Sequence, residues 1–273
     1  MVMTKREKFL LLCGLILYFV LVTWSTLRGC SAYSGVRKSG SVAVVVFYDL
    51  QFGGALQSIV VASAMLLTYS VIGSIFYIYV KNNRSFYNVH QRIGYRRFLQ
   101  NGTLSAFFYA AVLAIVTSVY EMVLISVTFY KFNFYTKDTA FIAEGSKHFS
   151  QNTLIDLTTF VVLSAIGWGV YSVFIFSIGL FIKKTSIFVV LGVIVGTGLI
   201  LLSGMANLGL GGKLASFFYV WFLPVLISPG KMSFGAYLPP VNILLAFWIA
   251  VLVYLAISWL IMRLWLKQMR WRS

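Results

Sequence analysis

Acidic residues are scarce in this chain. Asp and Glu number 6 against 22 Lys and Arg, and charged residues of both signs make up only 10% of its 273 residues. A soluble domain carries about 25%. With 60% hydrophobic residues and a mean hydropathy of +0.90, the chain would be insoluble without lipid around it. Cysteine occurs twice, at Cys13 inside the first apolar run and at Cys30 beyond its far end, so no disulfide framework is implied. Histidine occurs twice, at His90 and His148, and no HExxH or CxxC spacing accompanies either. There is no GxSxG. The nearest approach to a phosphate loop is 207–214, NLGLGGKL, with Asn207 where such a loop needs glycine and Leu214 where it needs Ser or Thr. No ATP site and no catalytic set are visible, so the chain reads as a non-enzyme without a cofactor or metal of its own.

Long apolar runs are abundant. Those at 9–27, 56–80, 103–128, 153–182, 187–203 and 241–262 are each long enough to cross a bilayer. The first follows a short basic start. It exceeds the apolar region of a signal peptide, about 7–15 residues, and Trp24 suits an interfacial anchor, so a retained span is expected. Lys183 and Lys184 separate the fourth run from the fifth, which makes those two antiparallel neighbours. Gly192 and Gly196 form a GxxxG in the fifth, the spacing that lets helices approach closely. Two shorter apolar pieces remain. Residues 42–48, in the loop 28–55, are β-branched and too short to span as a helix, so they read as a strand or an interfacial segment. Residues 214–227 follow a group of glycines and contain Pro224. Their length favours a re-entrant or interfacial segment over a span.

The basic residues orient this layout. With both termini inside, the inner side holds Lys5, Arg6, Lys8, Lys81, Arg84, Arg92, Arg96, Arg97, Lys183, Lys184, Arg263, Lys267, Arg270 and Arg272. The outer side holds Arg28, Arg37, Lys38, Lys131, Lys137, Lys147, Lys213 and Lys231. This bias supports six spans with both ends in the cytoplasm. In a soluble protein a net charge of +16 would suggest nucleic acid. Here the cations cluster at span ends, where membrane orientation and anionic headgroups account for them.

The longest strongly polar interval is 81–100, KNNRSFYNVHQRIGYRRFLQ, with five cations and no acid. One reading is a solvated basic loop that sets orientation. The other is a surface helix that docks a cytoplasmic partner. Phe86, Val89 and Ile93 fall on one stripe of such a helix, with Arg92, Arg96 and Arg97 at its rim, although Gly94 weakens it by roughly 1 kcal/mol.

Glu121, in the third run, and Asp156, near the start of the fourth, are the candidate pathway residues, because ionisable groups are costly inside a membrane. Each has a plainer reading. Asp156 sits close to a helix N-terminus that Ser150 would begin, where the dipole favours an anion. Glu121 would pair with Lys131 or Lys147, or snorkel to the outer surface. Trp168, between Gly167 and Gly169, reads as an ordinary membrane aromatic ahead of a ligand contact.

Six spans, a basic connector after the second and an apolar insert before the last resemble the ABC-2 type permease subunits of bacterial ABC exporters. Residues 92–115, RIGYRRFLQNGTLSAFFYAAVLAI, look like that family's passage from a basic surface helix into its third span. The resemblance implies an all-α integral membrane protein of six transmembrane helices. It places a cytoplasmic coupling helix between spans two and three, over 83–98, and a re-entrant or interfacial segment before span six. It also implies a bacterial plasma membrane location and a second permease subunit, identical or not. ATP would be bound by a separate cytoplasmic ABC ATPase subunit. The family moves drugs, peptides, lipid-linked glycans and ions, so no substrate follows. A membrane-embedded binding or regulatory protein without transport activity is the competing expectation. A secondary transporter is another, but the buried charges and interrupted helices it would show are not evident in the sequence.

Overall fold

The structure, a computed structural model, describes residues 5–36, 38–52, 56–83, 85–132, 134, 149–150, 152–209, 223–229 and 242–270. Every element among them is a helix: α1 (Lys5–Ala32), α2 (Gly40–Phe52), α3 (Leu56–Ile72), α4 (Ile75–Asn82) and α5 (Ser85–Thr128), then α6 (Thr153–Gly179), α7 (Thr185–Gly209), α8 (Leu223–Ile227) and α9 (Ile243–Arg270). Five of them, α1, α5, α6, α7 and α9, are long and apolar enough to cross a membrane. The pair α3 and α4, bent by 56°, makes six if it counts as one span. Helices are what apolar runs form in lipid, where the backbone must satisfy its own polar groups. The apolar runs read from sequence fall on these helices, the third most extended, with its helix beginning at Ser85; the second is split between α3 and α4, and the helix of the fourth closes at Gly179, short of 182.

The valine-rich insert at 42–48 is not a strand. It belongs to α2, which packs on α1, α3 and α5. Ala43, Val44, Val46, Phe47 and Tyr48 are all exposed by 2% or less. A lone strand there would bury unpaired backbone groups, whereas a helix pairs its own. Ser39 opens it: its carbonyl accepts the Ala43 N–H at 3.1 Å and its Oγ the Val42 N–H at 3.4 Å.

α6 is the centre of the bundle. It touches α3, α5, α7, α8 and α9, and 72% of its spanning window is buried, against 22% for α1 and for α7. Small residues make this possible. A Cβ at Gly167 would overlap the Leu226 carbonyl, so α8 lies directly on the middle of α6. There Ser164 Oγ donates to the Ile227 carbonyl at 2.7 Å. Pro224 does not interrupt α8. It stands in the first turn, where a missing N–H costs nothing. A Cβ at Gly192 would lie 2.6 Å from the Leu66 carbonyl, so the GxxxG does seat α7 against α3. The rest of 214–227 lies outside the described residues, as does most of the loop from 130 to 149.

The break between α3 and α4 has a local cause. α5 comes so close at Gly73 that a Cβ there would overlap the Ser105 carbonyl, and Ser105 Oγ donates to the Gly73 carbonyl at 2.7 Å. Ser74 Oγ then donates back to Ser70 O at 3.0 Å, and the chain bends.

Contacts sort the helix ends into two groups. Lys81 meets the close of α6, and Phe86 meets Trp265 near the close of α9. At the other end, α2 meets the close of α5 and the start of α6. The first group is the basic one, with Lys81, Arg92, Arg96, Arg97, Lys183, Lys184, Arg263 and Lys267.

Candidate functional site

At the basic end, α5 opens with a short helical stretch that turns at Gly94, the one residue of positive φ among those described (φ 71°, ψ 159°). Tyr95 onward continues as the long helix. Phe86 does not face outward. Its ring packs edge-on to Phe98 at 5.4 Å and to Trp265 at 6.3 Å, and lies tilted beside Tyr95 at 5.9 Å. Tyr77 joins through Phe98 at 5.5 Å. Ile93 is 36% exposed, and Arg92, Arg96 and Arg97 are exposed beside it. The side chains of Val89 and His90 lie outside the described residues. Phe86 therefore fastens the opening of α5 to α9, while Ile93 and the three arginines are left on the surface.

Beside this cluster Lys81 reaches the close of α6. Its ammonium donates to the carbonyls of Gly179 at 3.1 Å, Leu180 at 2.9 Å and Ile182 at 2.6 Å. Asn82 Nδ2 donates to Thr185 Oγ1 at 3.2 Å, so α4 is pinned to both sides of the α6–α7 link. The last carbonyls of a helix have no partner within it, and a cation suits the negative end of its dipole.

The two candidate acids lie at the opposite end, both 1% exposed. Each has neutral partners. Glu121 Oε2 accepts a hydrogen bond from Gln51 Nε2 on α2, where Lys131 or Lys147 was expected. Asp156 Oδ2 accepts from Tyr48 OH at 2.7 Å, and its Oδ1 from the N–H groups of Phe149 at 2.7 Å and Ser150 at 3.4 Å. Asp156 does sit in the first turn of α6, but Asn152, not Ser150, caps that helix, its side chain accepting the Leu154 N–H at 3.0 Å.

One turn along α5 from Glu121, Thr117 begins a hydroxyl chain. Tyr18 OH lies 3.0 Å from Thr117 Oγ1 and 2.8 Å from Tyr69 OH. Tyr69 packs edge-on to Trp168 at 4.7 Å, and Trp168 to Tyr171 at 6.0 Å. Trp168 is thus a buried core side chain. The polar track from Tyr69 to Gln51 crosses α3, α1, α5 and α2. Sequence reasoning named only Glu121 in it. The usable signal was physical: buried carboxyl oxygens need donors, and Tyr48 and Gln51 are polar residues set in an apolar stretch. Among the described residues no group of three or more His, Cys, Asp or Glu is placed to hold a metal ion.

These features define a helical membrane protein with a cation-rich end and a buried acidic end. Comparison with protein-family models, with curated proteins and with solved structures finds no match to this chain.

Proposed function

We propose that this chain is the permease subunit of an ATP-driven exporter of the ABC-2 type. It forms the membrane path with a second permease subunit and is driven by a separate cytoplasmic ATP-binding subunit. The observation that carries this reading is the junction at Gly94. Residues on both sides are helical, and the second side runs unbroken to Thr128, so a push on the opening of α5 is delivered straight into a span. In this reading the basic end faces the cytoplasm of a bacterial cell. Ile93, Arg92, Arg96 and Arg97 meet the ATP-binding subunit, while Phe86 holds the docking segment on Trp265. ATP is bound by the partner.

The test is co-expression with a candidate ABC-type P-loop ATPase from the same genome, followed by co-purification from detergent. The ATPase should co-purify and support transport. Gly94→Ala forces alanine into a backbone region that L side chains avoid. It should leave the complex intact and uncouple ATP hydrolysis from transport. Absence of a complex at normal membrane insertion would sink the reading.

A secondary transporter gains support from two features: the bend between α3 and α4, which the sequence did not make evident, and the burial of Glu121. In that case vesicles holding this chain alone would show transport driven by an ion gradient. Glu121→Gln would abolish it, and Asp156→Asn would not. A binding or regulatory protein would give no flux in either assay.

A further inference from the structure

A groove of about 430 Å³ runs along the outside of the bundle between α1, α3, α4 and α7. That volume lies in the range of small-molecule sites, about 300–1,000 Å³. Its walls run from Leu11 to Leu21 on α1 and from Ala64 to Tyr79 on α3 and α4, with Thr185 and Val189 of α7 closing one end. Tyr18 is one of its few polar residues, and its hydroxyl is already taken by Tyr69 and Thr117.

We propose that this groove holds one acyl chain of an anionic phospholipid, with the headgroup phosphate at Lys183 and Lys184. Length and charge argue for this occupant. From Leu11 to Leu21 the groove rises about 15 Å at 1.5 Å per residue. That is one leaflet of a hydrocarbon core about 30 Å thick. A spanning helix of a second copy would need both leaflets; an acyl chain needs one.

The charge lies at one end of the groove. Leu11 stands just after the basic opening of α1, with Lys5, Arg6 and Lys8. Tyr79 stands two residues before Lys81, and Thr185 follows directly on the exposed Lys183 and Lys184. Lys81 is committed to the carbonyls of α6. Among the described residues, Glu7 is the one acid at this end. The lipid is a resident of the fold and not a transported substrate, so the proposal stands apart from any ATP-driven role.

Gly14 makes the test clean. It lines the groove, and a Cβ added there meets nothing within 4 Å. Gly14→Leu should fill the groove without disturbing the bundle. The full chain is purified from mixed micelles of phosphatidylglycerol and phosphatidylcholine, washed in lipid-free detergent, and its retained lipid identified by mass spectrometry. The wild type should keep about one phosphatidylglycerol per chain, enriched about thirtyfold over phosphatidylcholine by the attraction of two lysines. Gly14→Leu should lose the lipid while eluting as the same monodisperse species. Lys183→Gln with Lys184→Gln should bring the headgroup ratio to that of the micelle. Val112→Leu, on an exposed face of α5, should behave as wild type. Equal retention by Gly14→Leu, or a wild-type headgroup ratio equal to that of the bulk lipid, overturns the proposal.

Discussion

The two ends of α6 solve the same problem with opposite charges. At its close, the ammonium of Lys81 is held by three backbone carbonyls, that of the last helical residue, Gly179, and those of Leu180 and Ile182 just beyond it. At its start, the carboxylate of Asp156 is held by Tyr48 and by two N–H groups just ahead of the helix. Each charge faces the complementary end of the α6 dipole, and each uses neutral partners. Glu121 stands apart. It lies on the side of α5, not at a helix terminus, and the donor placed on it is the Gln51 amide. Lys81 and Asp156 thus have a sufficient structural account, and Glu121 has a weaker one. That contrast makes Glu121 the better functional candidate.

The contrast breaks most sharply at Asp156. Asp156→Ala removes the acceptor of the buried Tyr48 hydroxyl and of the Phe149 and Ser150 N–H groups, and should destabilise the protein by about 3 kcal/mol, read as a lowered melting temperature in detergent. Asp156→Asn keeps an acceptor and should cost about 1 kcal/mol. Equal losses would mean that charge, not hydrogen bonding, is what Tyr48 meets.

Lys81→Met should follow, at about 2 kcal/mol, because it takes the ammonium from three carbonyls in partly buried surroundings, of which that of Gly179 keeps the Ile182 N–H. Local hydrogen exchange around 179–182 should rise more than elsewhere, and uniform exchange would refute the capping role. The smallest effect belongs to Trp265. Its Nε1 is buried without a hydrogen-bond partner among the described residues. Trp265→Phe removes no bond and leaves only a small cavity, so the loss should be about 1 kcal/mol in the same melting assay. A loss as large as that of Lys81→Met would show that the indole N–H has a role that ring packing does not supply.

The spanning helices were legible because length and apolarity suffice to define a helix in lipid. What surrounds them was not. The strand reading of 42–48 followed the local preference of its valines, which burial on α1, α3 and α5 overrides. Gly73 reads as one more glycine in an apolar run. Only the approach of Ser105 turns it into a break. The stripe of Phe86, Val89 and Ile93 assumed a face open to a partner, but Trp265 draws Phe86 inward. The acids were visible and their partners were not, because Gln51 and Glu121 are 70 residues apart in sequence.

The central place of α6 also has a consequence in time. Chains are made from the N-terminus, so α1 to α5 emerge before the helix they pack around. Until α6 arrives, Gly102, the face of α3 near Tyr69, and Lys81 have only lipid or water where Phe176, Trp168 and the α6 carbonyls will sit. The first half of this protein is therefore inserted as an unfinished socket. Chains stopped after Thr128 should reach the membrane yet turn over faster in pulse–chase than chains stopped after Lys184, and equal lifetimes would show that the socket closes without its axle.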